Sequence, residues 1–282
     1  MRLRIGGVPE HFNLPWLLAI EERAFDVLDV ELEWIDLPGG TGSIMSALQD
    51  RYIDLATPLT EGAVTSIAGG NRSRLVRTWV DSPLLWGVHV AATSTAETVD
   101  DLVEQRFAIS RFGSGSELMS LVMAQDHGWT LTDDSWVVVG DLDGALAALP
   151  AGAAEIFLWS KSMTQPYVDS GVFKRVGVVS TPWPSFAVAV TETLLAAVPG
   201  LAEQIIDIGA ASAARLAARD DAAILVADRY GLQPLDASAW LEQVRWTPQD
   251  SPIDPSMLDS VVEQMVDIGR VEPPVDVSTL LA

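Results

Sequence analysis

The chain has 282 residues, 49% of them hydrophobic and none of them cysteine, enough apolar content to fill one large domain or two ordinary ones. With 17 Lys and Arg against 39 Asp and Glu, the formal net charge is −22, a field that repels nucleic-acid phosphates and anionic lipid head groups and argues against both as partners. The lack of cysteine excludes a disulfide framework, a thiol nucleophile and a thiolate metal site, and no apolar run approaches the roughly 20 residues needed for membrane insertion.

From the amino end, Leu3-Arg4-Ile5-Gly6-Gly7-Val8 reads as a short buried strand that stops at Pro9 and releases Glu10 and His11 into a loop. Leu14, Leu17, Leu18 and Ala24 are then spaced for one apolar helix face, with Pro15 in the first turn. Alternating apolar and acidic residues over 29–36 predict a half-exposed strand near a sheet edge. Pro38-Gly39-Gly40-Thr41-Gly42-Ser43 is a tight loop feeding a helix through Ile44 and Leu48. Residues 52–57 form a third strand closed by Pro58, and Thr60-Glu61 opens a helix running towards Gly69-Gly70. This β-α-β-α-β-α order argues for a parallel sheet with right-handed crossovers. Ligands of such sheets gather outside the carboxyl ends of the strands, where the polar loops converge.

Two extended runs, 75–80 and 85–91, flank Asp81-Ser82-Pro83. A short helix over 98–104 precedes a second α/β series: strand 106–110, helix 115–127, strand 135–140, helix 142–149, strand 155–159, helix 165–170 and strand 172–179. Residues 183–190 carry the chain back. Four or five helices follow, punctuated by Pro199-Gly200, Tyr230-Gly231, Pro234, Pro248 and Pro252, and 271–282 reads as an extended strap. The expectation is an α/β protein of two lobes, with extended crossings near 85–91 and 183–190 acting as a double crossover hinge around a cleft. Lobe 1 begins as 1–88, lobe 2 is 89–186, and 187–282 returns to lobe 1 with the C-terminal helices.

Leu3-Arg4-Ile5-Gly6, Ala19-Ile20-Glu21, Val30-Glu31-Leu32 leading to Pro38-Gly39-Gly40, and Ile53-Asp54-Leu55-Ala56 resemble the type II periplasmic binding proteins, in particular the nitrate/sulfonate/taurine and thiamine-pyrimidine-precursor (NMT1-like) group. Pro9-Glu10-His11-Phe12 and Ser110-Arg111-Phe112-Gly113-Ser114-Gly115-Ser116 look closer to a signal-less intracellular branch of that fold. The resemblance implies a hinged small-molecule-binding protein that closes two lobes on a small polar, anionic or heteroaromatic ligand. It implies an ABC permease as partner where the chain serves transport. Met1 leads within two residues into the first strand, so we expect a cytoplasmic protein; an exported protein whose signal has been removed would read the same.

Residues 110–116 follow a strand and open a helix, and in the family this loop supplies the second lobe's grip. Backbone N–H groups there, with Ser114, Gly115 and Ser116, can receive an anion or polar group; a serine N-cap with a glycine turn needs no ligand. Arg111 is placed to pair with a ligand carboxylate, phosphate or sulfonate, or with one of the many acids. Gly40 and Thr41 read as a cleft loop: Met45 stands where a dinucleotide fingerprint needs its last glycine. Gly113-Ser114-Gly115-Ser116 departs from the nucleophile elbow, so hydrolase chemistry has little support.

Of the three histidines, none has metal-ligand spacing, and no metal or cofactor is expected. His127 precedes Gly128 at a helix end and reads as structural. His89 sits in a crossing strand and reads as packed there. His11, at a strand's carboxyl end beside Glu10, is the candidate for holding a heteroaromatic ring or shuttling a proton. Among the ten tryptophans Trp34, Trp240 and Trp246 are expected in the core, whereas Trp159 and Trp183 could wall a planar ligand, Trp183 equally packing the hinge. Thr60, Glu61, Asp81 and Ser82 read as caps or cleft groups. No residue is assigned as catalytic. The rival is a cytoplasmic enzyme on the same scaffold, either like thiamine-pyrimidine synthases or like dehydratases of menaquinone biosynthesis. The synthase needs a lysine and, in the family, cysteines; the chain offers only Lys161 and Lys174 and no cysteine.

Overall fold

A computed structural model describes residues 1–102 and 105–282. The chain forms two compact units: Met1–Ser82 with Trp183–Tyr230 and Ala237–Ala282 make unit 1, and Pro83–Pro182 with Gly231–Asp236 make unit 2.

In chain order unit 1 begins with β1 (Arg2–Gly7), α1 (Leu14–Glu21), β2 (Glu31–Asp36), α2 (Gly40–Gln49), β3 (Leu55–Thr57), α3 (Thr60–Ala68) and β4 (Ser73–Val80). Unit 2 follows with β5 (Leu85–Ala91), β6 (Phe107–Ile109), α4 (Gly115–Asp126), β7 (Trp136–Val138), α5 (Leu142–Ala148), β8 (Ile156–Ser160), α6 (Gln165–Asp169) and β9 (Phe173–Ser180). The return to unit 1 is β10 (Phe186–Thr191), then α7 (Glu192–Ala197), α8 (Leu201–Ala217) and α9 (Ala222–Tyr230); α10 (Pro234–Gln243) begins in unit 2 and joins unit 1 from Ala237, and α11 (Pro255–Asp267) follows in unit 1. The short helix predicted over 98–104 is a 3-10 turn at Val99–Leu102; Val103 and Glu104 lie outside the described residues.

Each unit is built on a five-stranded mixed sheet, ordered β2-β1-β3-β10-β4 in unit 1 and β7-β6-β8-β5-β9 in unit 2. The two orders are one topology. The first strand of each α/β series, β1 or β6, lies between parallel neighbours, and an antiparallel strand from the far side of a crossing, β10 or β5, comes next. Position in the sheet explains the residue patterns. Edge strand β2 buries only Leu32 and leaves its other residues half-buried or exposed, whereas β10, paired on both sides, buries all six residues of Phe-Ala-Val-Ala-Val-Thr.

Two glycines permit the packing that shapes unit 1. A Cβ on Gly7 would sit 2.6 Å from Thr57 Oγ1 and 2.9 Å from Asn13 Nδ2, so the end of β1 closes on its neighbours only without a side chain. Gly209 likewise lets α8 approach Trp16, whose ring stacks on Trp79 at 4.4 Å.

The chain changes unit at Ser82–Pro83 and Pro182–Trp183, so 85–91, expected as a crossing, is a strand of unit 2. Gly231–Asp236 adds a third excursion that the sequence reading lacks. Within unit 1, Ser185 donates its N–H (3.2 Å) and Oγ–H (2.6 Å) to Ser82 O. Within unit 2, Leu84 N–H donates to Thr181 Oγ1 (3.0 Å) and Thr181 N–H to Leu84 O (3.1 Å). Trp34 and Trp246 are half-buried, not core: each holds its indole N–H to an oxygen, Asp36 Oδ1 and Phe12 O respectively. The tail carries a 3-10 turn at Val277–Leu280 that buries Leu280, and Leu281 bridges to Leu75. Among the described residues, no helix is long and apolar enough to cross a membrane.

Candidate functional site

In unit 1 the loops after β1, β2 and β3 leave the same end of the parallel strands, and hydrogen bonds hold them there. Val8 O accepts from Glu10 N–H (2.8 Å) and Asn13 Nδ2 (2.9 Å), and Thr57 Oγ1 donates to Asn13 Oδ1 (2.8 Å). The turn His11–Asn13 is pinned from a third side, because Phe12 O accepts from both Trp79 Nε1 (3.1 Å) and Trp246 Nε1 (3.0 Å). The loop geometry is therefore set by the backbone and by Asn13. The His11 ring nitrogens take no part in it.

That ring is fully buried, with centroids 4.2 Å from Trp240, 4.8 Å from Phe12 and 5.8 Å from Tyr230. Among the described residues, neither His11 nitrogen has a hydrogen-bond partner, and neither do Trp240 Nε1 or the Tyr230 hydroxyl. A buried polar group left unpaired costs about 1–3 kcal/mol, so four such atoms on three neighbouring rings call for an explanation. Burial pushes the imidazole down to about 3, which keeps it neutral: one nitrogen donates and the other accepts.

The loop after β3 supplies a second group of the same kind. Thr60 and Glu61 open α3 and are 1% exposed, and Thr60 Oγ1 and Glu61 Oε1 have no partner among the described residues. Glu61 Oε2 accepts from Trp183 Nε1 at 2.7 Å. Burial lifts the Glu61 carboxyl to about 7, against the opposing pull of its backbone and Trp183 hydrogen bonds. Glu10, half-buried, is also raised to about 7 by desolvation. Gly40 (φ 72°) starts α2, and Thr41 Oγ1 accepts from Leu59 N–H at 3.0 Å, tying α2 to the loop that carries Thr60 and Glu61. The two groups are linked in turn: Phe186 bridges to Leu59 and its ring lies 5.0 Å from Phe12. Glu10, His11, Gly40, Thr41, Thr60, Glu61 and Trp183 all belong to unit 1. Trp183, 4% exposed, is fixed in unit 1 by its bond to Glu61. Ser82 spends its hydroxyl accepting from Arg245 N–H at 3.1 Å, and exposed Asp81 donates its backbone N–H to Arg245 O.

In unit 2 the serine loop is satisfied from within. Ser114 caps α4, accepting from Glu117 N–H, and Glu117 Oε2 reaches back to Gly113 N–H at 2.6 Å, a variant of the capping box. Ser116 Oγ accepts from Ser110 N–H (3.0 Å) and lies 3.0 Å from Ser114 Oγ. Gly115 begins the helix, and Arg111 beside it is half-buried, its guanidinium pKa lowered by desolvation. Trp159, half-buried, stacks on Phe157 at 5.2 Å within the unit 2 core. His127 caps the far end of α4, with Nδ1 3.3 Å from Asp100 Oδ1. Lys161 lies in unit 2, its backbone tied to Leu85 and Arg175.

Two residues of the unit 1 site, Tyr230 and Trp240, were invisible as site residues in the sequence. They lie more than two hundred positions from His11, one at the end of a helix marked only by Gly231 and the other on an ordinary amphipathic helix. A usable signal was scarcity, since Tyr230 is one of only three tyrosines.

Residues 86–179 match the family model described as Ca3427-like PBP. The protein is similar in structure to the Candida albicans CA3427 gene product, with 24% identity over 100% of this chain and 96% of that one and a TM-score of 0.90. It is also similar to the alkanesulfonate-binding protein SsuA from Xanthomonas axonopodis pv. citri bound to MOPS (18% identity, 100% and 98% covered, TM-score 0.83). A third similar structure is the periplasmic nitrate-binding protein NrtA from Synechocystis PCC 6803 (13% identity, 99% and 84% covered, TM-score 0.72). No curated protein sequence matches. The chain therefore has the type II periplasmic-binding-protein fold.

Proposed function

We propose that the protein is a small-molecule-binding protein whose ligand is held at the carboxyl end of the unit 1 strands, with His11 as its central polar contact. The observation that carries this reading is the set of buried, unpartnered polar atoms there: both His11 nitrogens, Tyr230 OH, Trp240 Nε1, Thr60 Oγ1 and Glu61 Oε1. A ligand that supplies hydrogen bonds to them removes their desolvation cost, and aromatic walls suit a small ring. Similarity to proteins named for binding alkanesulfonate and nitrate supports a binding role on this fold. An imidazole with a pKa of about 3 is a weak general base at neutral pH, which favours holding a ligand over transforming it. In this reading ligand binding closes the two lobes, and an ABC permease is the partner if the protein serves import.

Native mass spectrometry of the purified protein tests the reading. A small molecule retained by the wild type and absent from His11→Phe is the expected result; equal retention in both removes His11 from the site.

A further inference from the structure

We infer that unit 2 carries a ligand contact of its own, in which the Trp86 indole N–H and the Ser160 hydroxyl together donate to an acceptor oxygen of a small molecule. The contact rests on the binding role proposed above and adds the residues with which unit 2 takes part in it.

The two side chains meet by register. Trp86 of β5 lies directly opposite Ser160 of β8 in an antiparallel pair, so both project from one face of the sheet with Cβ atoms about 5 Å apart. Trp86 is 4% exposed and Ser160 5%. Among the described residues neither Trp86 Nε1 nor Ser160 Oγ has a hydrogen-bond partner, although buried polar groups are as a rule bonded. An indole N–H can only donate, so its partner must present an acceptor, and a hydroxyl can donate to the same atom. One oxygen with two lone pairs answers both groups.

Their place in unit 2 fits that role. Ser160 ends β8, which runs parallel to β6, and lies at the carboxyl end of those strands, where ligands of α/β sheets gather. α4 leads from β6 to β7 and α5 from β7 to β8, in opposite directions along the strand order, so right-handed crossovers set the two helices on opposite faces. Ala145 of α5 packs on the face of Ala108, Phe157 and Trp159. Leu158 and Ser160 alternate with those residues and therefore share the other face with Trp86. α4 packs there on β6 and β8, and it begins at the same end as Ser160. The serine loop that precedes α4 spends its hydroxyls on one another and on its own backbone. The polar groups that unit 2 leaves open at this end are those of Trp86 and Ser160.

The test reads the indole itself. Two-dimensional 1H–15N spectra of the full chain record the tryptophan indole groups, and Trp86→Phe identifies the Trp86 signal by its loss. N-methylacetamide, an uncharged carbonyl, and methanesulfonate, an oxyanion, are the probes. At least one is expected to shift the Trp86 indole proton downfield, and Ser160→Ala to weaken that probe about threefold to tenfold, the effect of one hydrogen bond. Because Ser160 Oγ has no partner to lose, Ser160→Ala should leave the thermal unfolding midpoint at or above that of the wild type. A shift with N-methylacetamide assigns an uncharged acceptor and a shift with methanesulfonate alone an oxyanion; either supports the contact. If neither probe moves the Trp86 signal, or if Ser160→Ala leaves probe affinity unchanged or lowers the midpoint, the contact is overturned. The His11 reading is judged separately, by retention of a small molecule in His11→Phe.

Discussion

His11 and His89 are equally buried and equally reluctant to take a proton, each pushed down to about 3, yet their surroundings differ in every polar contact. His89 lies on β5 in unit 2 with both nitrogens engaged. Its Nδ1 lies 3.1 Å from Phe157 O, and its Nε2 lies 2.9 Å from Thr164 Oγ1 and accepts from Arg175 Nε at 3.3 Å. The carbonyl assigns the proton to Nδ1, and Arg175 then meets a lone pair. Space is cleared for this network by Gly87, on which a Cβ would sit 2.9 Å from Arg175 Nε and closer still to the His89 ring. His11 has aromatic rings on three sides and no partner for either nitrogen. Burial alone therefore does not separate the two histidines. The count of satisfied nitrogens does. The serine loop of unit 2 and the β3 loop of unit 1 repeat the contrast: Ser110, Ser114, Ser116 and Glu117 bond one another, whereas Thr60 and Glu61 leave oxygens unpaired.

The sharpest way to break this comparison is to replace both imidazoles with the same apolar ring. His89→Phe takes one partner each from Phe157 O, the Thr164 hydroxyl and Arg175 Nε, while Thr164 keeps Ser160 O and Arg175 keeps Gln165 Oε1 and Lys161 O, and should cost about 2 kcal/mol in urea unfolding, the loss of buried hydrogen bonds. A loss under about 1 kcal/mol would mean that the network adds nothing.

The pH dependence of stability should be smaller and should carry two opposite signs. Both histidines ionise at about 3 when folded and near 6.5 when unfolded, so the unfolded chain binds more protons between those values. Stability gained from them is present above about 6.5 and is lost as pH falls towards about 3. Glu61 runs the other way. Its carboxyl titrates at about 7 when folded and 4.5 when unfolded, so its stabilising contribution is present below about 4.5 and is lost as pH rises through about 7. Thermal midpoints recorded from pH 4 to 8, an interval of about these two windows, should decline less on the alkaline side for Glu61→Gln than for the wild type. Identical profiles would count against a strongly raised Glu61.

The smallest expected effect is the most telling. His11→Phe removes two unpaired nitrogens and keeps a ring in the aromatic surround, so its stability should fall within about 1 kcal/mol of the wild type, on either side. A loss as large as that of His89→Phe would show that His11 is a structural residue after all.

The architecture was largely legible in the sequence because it rests on local signals. Alternation marked β2, Pro15 and the apolar spacing marked α1, and the β-α order marked the parallel sheet. Its topological position marked the loop of Glu10 and His11. The partners of that loop were not legible. Tyr230 and Trp240 reach His11 only after the chain has left unit 1, returned through β10 and run through α8, a long-range closure that no local pattern encodes. Nor can a sequence say whether a histidine is satisfied: His89 owes its partners to Thr164 and Arg175, far along the chain, and to the empty space at Gly87. Ser114 to Glu117 shows the reverse case, in which a local S-x-x-E pattern accounts for the whole loop.

The central claim, that His11 and not His89 holds the ligand, can be read atom by atom. Histidine side-chain 15N resonances of the protein should be followed while the small molecule recovered by native mass spectrometry is added back. The account predicts that the His11 ring nitrogens shift as they gain hydrogen bonds, while those of His89 stay in place as an Nδ1-protonated neutral ring. Movement of His89 with His11 unchanged would contradict it.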